Sequence, residues 1–121
     1  MELILLAGVV LNFAGALKVL VPAIVATASE ATTNVPGEYL QLKLFTGGTI
    51  AVFCCFYLYL YLNPSFIVPF LVFGAALKTW AFLLSLILYL KQRLSRREFV
   101  EFGVTNAMVG ALFWFYLFSQ L

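Results

Sequence analysis

The sequence contains no histidine and very few charged side chains. Without histidine, the chain has no imidazole for a haem or zinc site and no histidine general base. Its two cysteines, Cys54 and Cys55, are adjacent within an apolar run, a spacing that matches neither a zinc motif nor a redox C-x-x-C pair. We therefore predict no metal site and interpret both cysteines as small apolar side chains.

Charged residues make up 10% of the 121 residues and apolar residues 64%, including 13 phenylalanines. A soluble domain is about a quarter charged and about half apolar. A chain with this composition could not cover its own apolar surface in water, so we predict that a lipid bilayer surrounds most of it. The net charge of +2 is too small to indicate binding to nucleic acid.

Four stretches are long and apolar enough to cross a membrane as helices, which takes about 20 residues each. They are residues 3–25, 40–62, 66–90 and 98–120. A polar connector, 26–39, separates the first two, an Asn-Pro-Ser turn at 63–65 separates the second and third, and a basic connector, 91–97, precedes the last. We predict an all-α membrane protein, residues 1–121 forming a single four-helix transmembrane bundle with up-down topology.

The basic residues are concentrated at one end of the predicted bundle, chiefly in connector 91–97, and the loops at the other end hold no lysine or arginine. The positive-inside rule then places connectors 26–39 and 91–97 in the cytoplasm and both termini outside, as in a bacterial-type inner (plasma) membrane. Five aromatic residues are expected to form a belt at the outer interface: Tyr57, Tyr59, Tyr61, Trp114 and Tyr116.

Residues 13–18 and 73–78 have similar sequences, Phe-Ala-Gly-Ala-Leu-Lys and Phe-Gly-Ala-Ala-Leu-Lys. Both segments run the same way through the predicted bundle because they belong to its first and third helices. Two repeated helical hairpins related by an axis along the membrane normal would give this pattern. Coincidence is the alternative, since Ala, Gly and Leu are common in membrane helices.

Four polar side chains, one on each predicted helix, fall at similar depths when residues are counted from the cytoplasmic ends: Asn12, Thr49, Lys78 and Asn106. An ionisable group at mid-bilayer depth costs roughly 2.5 kcal/mol or more, so Lys78 needs a reason to be there. Hydrogen bonding between helices is one interpretation. The polar end of a small apolar pocket, which would take a lipid, quinone or carotenoid, is another, and a conduction path is a third.

Lys18 lies about nine residues from the cytoplasmic end of the first helix, roughly 13 Å, which is too far for its ammonium group to reach water easily. Glu101, about one turn into the fourth helix, is the nearest acidic residue. We therefore predict a structural ion pair between Lys18 and Glu101, with Arg97 competing from four residues earlier. Ser95 and Glu98 have the spacing of a capping box for the same helix.

Three short segments carry a resemblance to a known family. Residues 14–22 read Ala-Gly-Ala-Leu-Lys-Val-Leu-Val-Pro, residues 44–48 read Leu-Phe-Thr-Gly-Gly, and residues 102–106 read Phe-Gly-Val-Thr-Asn. Together they resemble the DoxX-like group of small four-helix membrane proteins. The resemblance implies the four-helix architecture, and members of the wider group have been linked to thiosulfate oxidation with quinone. It carries over no catalytic residue, and Lys18 is the only polar position that it matches.

Two functions from different classes are consistent with the sequence. The first is a non-enzymatic accessory subunit that packs against a larger membrane complex, with another protein or a second copy as its partner. The alternative is a binder or carrier of a small apolar ligand, such as a quinone, carotenoid, sterol or lipid, in the bundle core beside Lys78. Enzymatic activity is the least favoured, because a desolvated lysine can act as nucleophile or base but no second catalytic group is identifiable.

Overall fold

The structure, a computed structural model of the chain, describes residues 2–28 and 36–121. Within them the chain forms four long helices and no strand: α1 Leu3–Ala28, α2 Gly37–Leu62, α3 Ile67–Leu90 and α4 Arg96–Ser119. By length and composition all four can cross a membrane, which confirms the predicted all-α, multi-pass four-helix fold. The helices include residues 26–28 and 37–39 of the predicted polar connector, and residues 29–35 of it lie outside the described residues.

Local backbone and side-chain chemistry sets the ends of α3 and α4. Gln92 follows α3 with a left-handed backbone (φ 59°), and the Arg93 N–H donates back to the carbonyl oxygen of Leu88 at 2.8 Å, a closure typical of helix C-termini. At the start of α4, the Ser95 hydroxyl accepts a hydrogen bond from the Glu98 N–H at 3.1 Å, which is half of the predicted capping box. A basic connector of only a few residues is therefore enough to reverse the chain.

The helices run up and down, each beside the next in the chain and α4 beside α1. α1 packs most extensively on α2, and α3 on α4, whereas the α2–α3 and α1–α4 sides are packed more sparsely. A 3₁₀ turn, Pro64–Phe66, joins α2 to α3. A Cβ on Gly47 would lie 2.5 Å from the Leu20 side chain, and one on Gly110 would lie 2.9 Å from Cβ of Lys78. Glycine is what lets these helices approach so closely.

The largest buried side chains lie in the half of the bundle that holds the chain termini, here called the terminal half. They form a single cluster: Leu5, Tyr57, Leu60, Ile67, Leu71, Ala75, Val109, Phe113 and Tyr116. The other half leads to residues 91–95 and is called the connector half. Its buried residues are mostly small: Ala16, Ala23, Gly47, Ala81, Ser85 and Gly103. The bulky apolar core is therefore confined to the terminal half.

Tyr116 and Tyr57 belong to this core, and their predicted places in the outer aromatic belt are wrong. Tyr57 is the more deeply buried of the two. Its side chain is fully buried, and its ring centroid lies 5.0 Å from that of Phe113. Two glycines make the room: a Cβ on Gly74 would lie 2.5 Å from Cε1 of Tyr57, and one on Gly8 would lie 3.1 Å from Cδ2. The slot exists because glycines on α1 and α3 face the same ring, whereas Tyr59 stays exposed.

A π-helical segment, Phe99–Val104, interrupts α4 one turn after the helix begins. Nearby side chains bond to its carbonyl groups: the Thr105 hydroxyl donates to the Glu101 oxygen at 2.6 Å, and Nδ2 of Asn106 donates to the Phe102 oxygen at 2.7 Å. π-Helical turns are rare and occur frequently at functional sites. The connector half of α4 therefore stands out from the other helices.

Candidate functional site

Lys78 lies at the middle of α3, eleven residues after Ile67 and twelve before Leu90. At 1.5 Å per residue, each end of the helix is roughly 17 Å away. The residue is only 3% exposed, so its ammonium group cannot reach either end of the bundle. A buried ammonium group at this depth is costly, and its contacts therefore decide what it does.

Hydrogen bonds link Lys78 directly to α1 and, through Asn12, to α2. Its Nζ donates to Oδ1 of Asn12 on α1, and Nδ2 of Asn12 donates to the carbonyl oxygen of Ile50 on α2 at 3.0 Å. The Nζ atom also lies 5.5 Å from the ring centroid of Tyr57, within cation–π range. On α4, Gly110 lies against the Lys78 side chain. This arrangement, the Lys78–Asn12 link, therefore connects all four helices at mid-depth.

The other two residues of the predicted polar layer lie elsewhere. The Thr49 hydroxyl donates to the Phe45 oxygen of its own helix at 2.8 Å, and its side chain lines the outer side of α2. Asn106 is buried, but its Nδ2 donates to the Phe102 oxygen of its own helix. Neither residue hydrogen-bonds to Lys78. The four residues do not form a single layer, because counting along the helices gives depth but not direction around the helix axis.

Lys18 lies where α1 meets the start of α4, among three other charged side chains. Its Nζ is 2.9 Å from Oε2 of Glu101 and 3.1 Å from Oε2 of Glu98. The second oxygen of Glu101 accepts from Nε of Arg97 at 2.8 Å. The structure thus brings the predicted pair and Arg97 together and adds Glu98, whose backbone N–H is used for the helix cap. We call these four residues the charged tetrad.

Sequence reasoning overlooked Glu98 as a partner of Lys18. It assigned this glutamate to the capping box, where its carboxylate would bond back to the Ser95 backbone. Glu98 and Glu101 are three residues apart, a spacing that places two side chains on one helix face. That spacing was the available signal for a lysine shared between two carboxylates.

Side chains that could coordinate a metal ion are scattered in the described part of the chain. Residues 2–28 and 36–121 contain no group of three or more His, Cys, Asp or Glu side chains that could hold a metal ion. The acceptor of Lys78 is an amide oxygen, and the Cys54 thiol lies 3.4 Å from the carbonyl oxygen of Val9. What these contacts can do is hold helices together.

Two shallow grooves open on the outer surface of the bundle. The α2 groove has a volume of about 410 Å³ and is lined by Leu44, Phe45, Gly48, Thr49 and Val52. The α1–α4 crevice has a volume of about 580 Å³, and its lining includes Leu6, Val10, Leu11 and Ala14 on α1 with Thr105 and Met108 on α4. Neither is lined by Lys78 or Asn12. Both are therefore accessible from the membrane and separate from the Lys78–Asn12 link.

The chain was also compared with known proteins. A scan against protein-family models, a search of the curated proteins and a search of the solved structures each find no match. The resemblance to DoxX-like proteins therefore stays a prediction, and a function has to be argued from the geometry of the bundle itself.

Proposed function

We propose that this protein is a non-catalytic accessory subunit that packs against a larger membrane protein through the outer face of α2. The observation that carries the proposal is Gly48 at the centre of the α2 groove. A Cβ added to Gly48 would meet no atom within 4 Å, so the absence of a side chain there serves no contact inside the bundle. A transmembrane helix of a partner protein is the occupant that such a notch fits.

Gly47, the neighbouring glycine, is an example of a glycine that is needed for packing inside the bundle. A Cβ on Gly47 would lie 2.5 Å from Leu20 of α1, so Gly47 is needed for the contact between α1 and α2. Gly48 has no such partner, although glycine inside a helix costs about 1 kcal/mol relative to alanine. The cost of Gly48 is accounted for if a second protein occupies the notch.

Exposed residues extend along the outer α2 face on both sides of the notch at Gly48. Phe45, Val52, Cys55 and Tyr59 are exposed and are spaced alternately three and four residues apart through Gly48. This is the spacing of a seam between two helices that pack side by side. The Thr49 hydroxyl is bonded within α2, which leaves the seam apolar. A long apolar seam with a central notch supports helix packing better than it supports capture of a polar solute.

The proposal is tested by enlarging Gly48 alone. A tagged chain is purified from its native membranes in mild detergent, and co-purifying polypeptides are quantified by mass spectrometry for the wild type, Gly48→Ile and Ala76→Ile. Ala76 is an exposed small residue on α3, so its variant adds a similar volume on another face. We expect a stoichiometric larger membrane protein with the wild type and with Ala76→Ile, and a loss of about tenfold with Gly48→Ile.

Thermal unfolding of the purified chains controls for folding, because Gly48→Ile adds atoms into open space and should not lower the melting temperature. Equal recovery of the partner with Gly48→Ile would contradict the proposal. So would the absence of any stoichiometric polypeptide from the wild-type preparation.

The orientation in the membrane is part of the same proposal. Lys91, Arg93, Arg96 and Arg97 lie at or next to the short connector between α3 and α4. The positive-inside rule places this connector in the cytoplasm and both termini outside. A reporter enzyme that is active only outside the cytoplasm should be active when it is fused to the C-terminus. An inactive but intact fusion would indicate the opposite orientation.

The α1–α4 crevice supports the alternative function, which is the binding of a small apolar ligand. The ligand was expected in the core beside Lys78, but Lys78 is buried and lines neither groove. The α1–α4 crevice is instead open to the membrane and ends beside charged side chains. Ligand binding therefore belongs to the edge of the bundle.

A further inference from the structure

The α1–α4 crevice leads directly into the charged tetrad. Ala14, at one end of the crevice on α1, precedes Lys18 by four residues, about one helical turn. Thr105, at the same end on α4, follows Glu101 by four residues. Residues four apart lie on the same helix face. The α1–α4 crevice and the charged tetrad are therefore adjacent parts of one surface groove.

Side chains of α1 and α4 meet at the tetrad and again in the core of the terminal half, where a Cβ on Gly8 would lie 2.7 Å from Cζ of Phe113. Lys18 bridges from α1 to Glu98 and Glu101 of α4, which fixes the two helices at the tetrad. Beyond it, Ala14 is too small to fill the space between the helices. The rims are apolar and exposed: Val10 is 68% exposed and Met108 64%. An apolar chain can therefore enter from the side.

The tetrad offers charges of both signs at the mouth of the crevice. Arg97 uses Nε for Glu101, its side chain is 84% exposed, and its terminal guanidinium nitrogens make no hydrogen bond within the described residues. Glu98 uses one carboxylate oxygen for Lys18 and is about half exposed. With two cations and two anions, the tetrad is neutral overall. A group that carries both a phosphate and an ammonium matches this pattern better than an anion alone.

The backbone beside the tetrad is also unusual. Glu101 belongs to the π-helical segment Phe99–Val104, whereas Thr105 begins the regular part of α4. π-Helical turns are frequent at functional sites. The irregular turn and the charged end of the crevice thus coincide on the same part of α4.

We propose that the α1–α4 crevice binds a zwitterionic glycerophospholipid with a primary ammonium head group. One acyl chain lies along the apolar crevice, the phosphate binds the guanidinium group of Arg97, and the ammonium binds the free carboxylate oxygen of Glu98. This site lies on α1 and α4, whereas the α2 groove lies on α2. The lipid site therefore goes beyond the accessory-subunit function and can be tested independently of it.

The test measures lipid retention by native mass spectrometry after the detergent-purified chain is mixed with phosphatidylethanolamine or phosphatidylglycerol of the same acyl chains. Two variants address the two parts of the site: Ala14→Leu fills the crevice, and Arg97→Gln removes the phosphate donor. Ala76→Leu and Arg93→Gln are the matched controls, since both positions are exposed and lie outside the site.

We expect one retained phosphatidylethanolamine per chain, with retention lower by about tenfold in Ala14→Leu and in Arg97→Gln and unchanged in both controls. Gly48→Ile should retain the lipid as well as the wild type does, which separates this proposal from the proposed function. Preferential retention of phosphatidylglycerol would overturn the proposal, as would equal retention of both lipids or retention that both site variants leave unchanged.

Discussion

Lys78 and Lys18 close the two similar segments 73–78 and 13–18, yet the structure places them in opposite surroundings. Lys78 is 3% exposed and donates to the neutral amide of Asn12. The Lys18 side chain is 50% exposed and lies between two carboxylates. One lysine is enclosed inside the bundle, and the other remains accessible at its edge. Similar sequence segments thus acquire different roles from the helices that pack against them.

The surroundings of the two lysines also differ in whether a groove lies beside them. The Lys78–Asn12 link joins helices at mid-depth and lines neither of the two grooves. The charged tetrad joins two helices at one edge and lies beside an open crevice. We infer that the interior of the bundle is structural and that binding takes place on its outer surface. The suspected two-hairpin repeat stays a prediction, because matching positions such as these lysines share no common contact.

The largest expected effect comes from removing the acceptor of the buried lysine. Asn12→Leu leaves the ammonium group of Lys78 without its hydrogen-bond acceptor, and an unsatisfied buried charged group costs about 2–3 kcal/mol. Unfolding of the purified chain by sodium dodecyl sulfate in mixed micelles should show a free energy of unfolding lower by about that amount.

The double variant Asn12→Leu with Lys78→Leu is the control for this prediction. It removes both polar partners, which can be nearly neutral when the shape is kept. Most of the lost stability should return. A single variant as stable as the wild type, or a double variant as unstable as the single, would show that Lys78 does not depend on Asn12.

A smaller effect is expected at the charged tetrad. Lys18→Met removes two ion pairs that are about half exposed, and exposed pairs contribute about 0–1 kcal/mol each. The free energy of unfolding should fall by less than about 1 kcal/mol. The difference from the wild type should shrink further in high salt, because salt screens accessible charges. A loss as large as that of Asn12→Leu would mean that the tetrad is as structural as the buried link.

The smallest effect is expected for Lys78→Leu alone. The variant loses a hydrogen bond between membrane helices, worth about 0.6 kcal/mol on average, but it also removes a buried ammonium group. Stability should stay within about 1 kcal/mol of the wild type or increase. The small molecules that co-purify with the chain, identified by mass spectrometry, should be unchanged. If a quinone, carotenoid or sterol that co-purifies stoichiometrically with the wild type is lost in this variant, Lys78 does bind a ligand in the core.

The fold could be predicted because the membrane limits what an apolar chain can do. A stretch of about 20 apolar residues has to become a helix to satisfy its backbone in lipid. Four such stretches and short connectors leave an up-down bundle as the simplest arrangement. The Ser95 cap of α4 was readable from local sequence, and the depths counted from the cytoplasmic ends pointed from Lys18 to Glu101.

The remaining features depend on directions around each helix, which residue counting does not give. Thr49 and Asn106 lie near the expected depth but bond to their own helices. Tyr57 enters the core because glycines from two other helices face it, and no pattern in its own helix announces this. The α2 groove could not be predicted either, because the sequence does not distinguish the roles of Gly47 and Gly48. Only the structure shows that Leu20 packs against Gly47 and not against Gly48.

Cross-linking through Cys55, an exposed free cysteine on the outer α2 face, tests whether a larger membrane protein binds to this face. In a Cys54→Ser background, Cys55 is cross-linked in native membranes with a short thiol-to-amine or thiol-to-thiol reagent, and the adducts are identified by mass spectrometry. Binding through the α2 face predicts an adduct with one larger membrane protein, and Gly48→Ile should abolish it. Contradicting results would be an adduct of twice the chain mass, which indicates a homodimer, or a Cys55 that stays free of protein adducts.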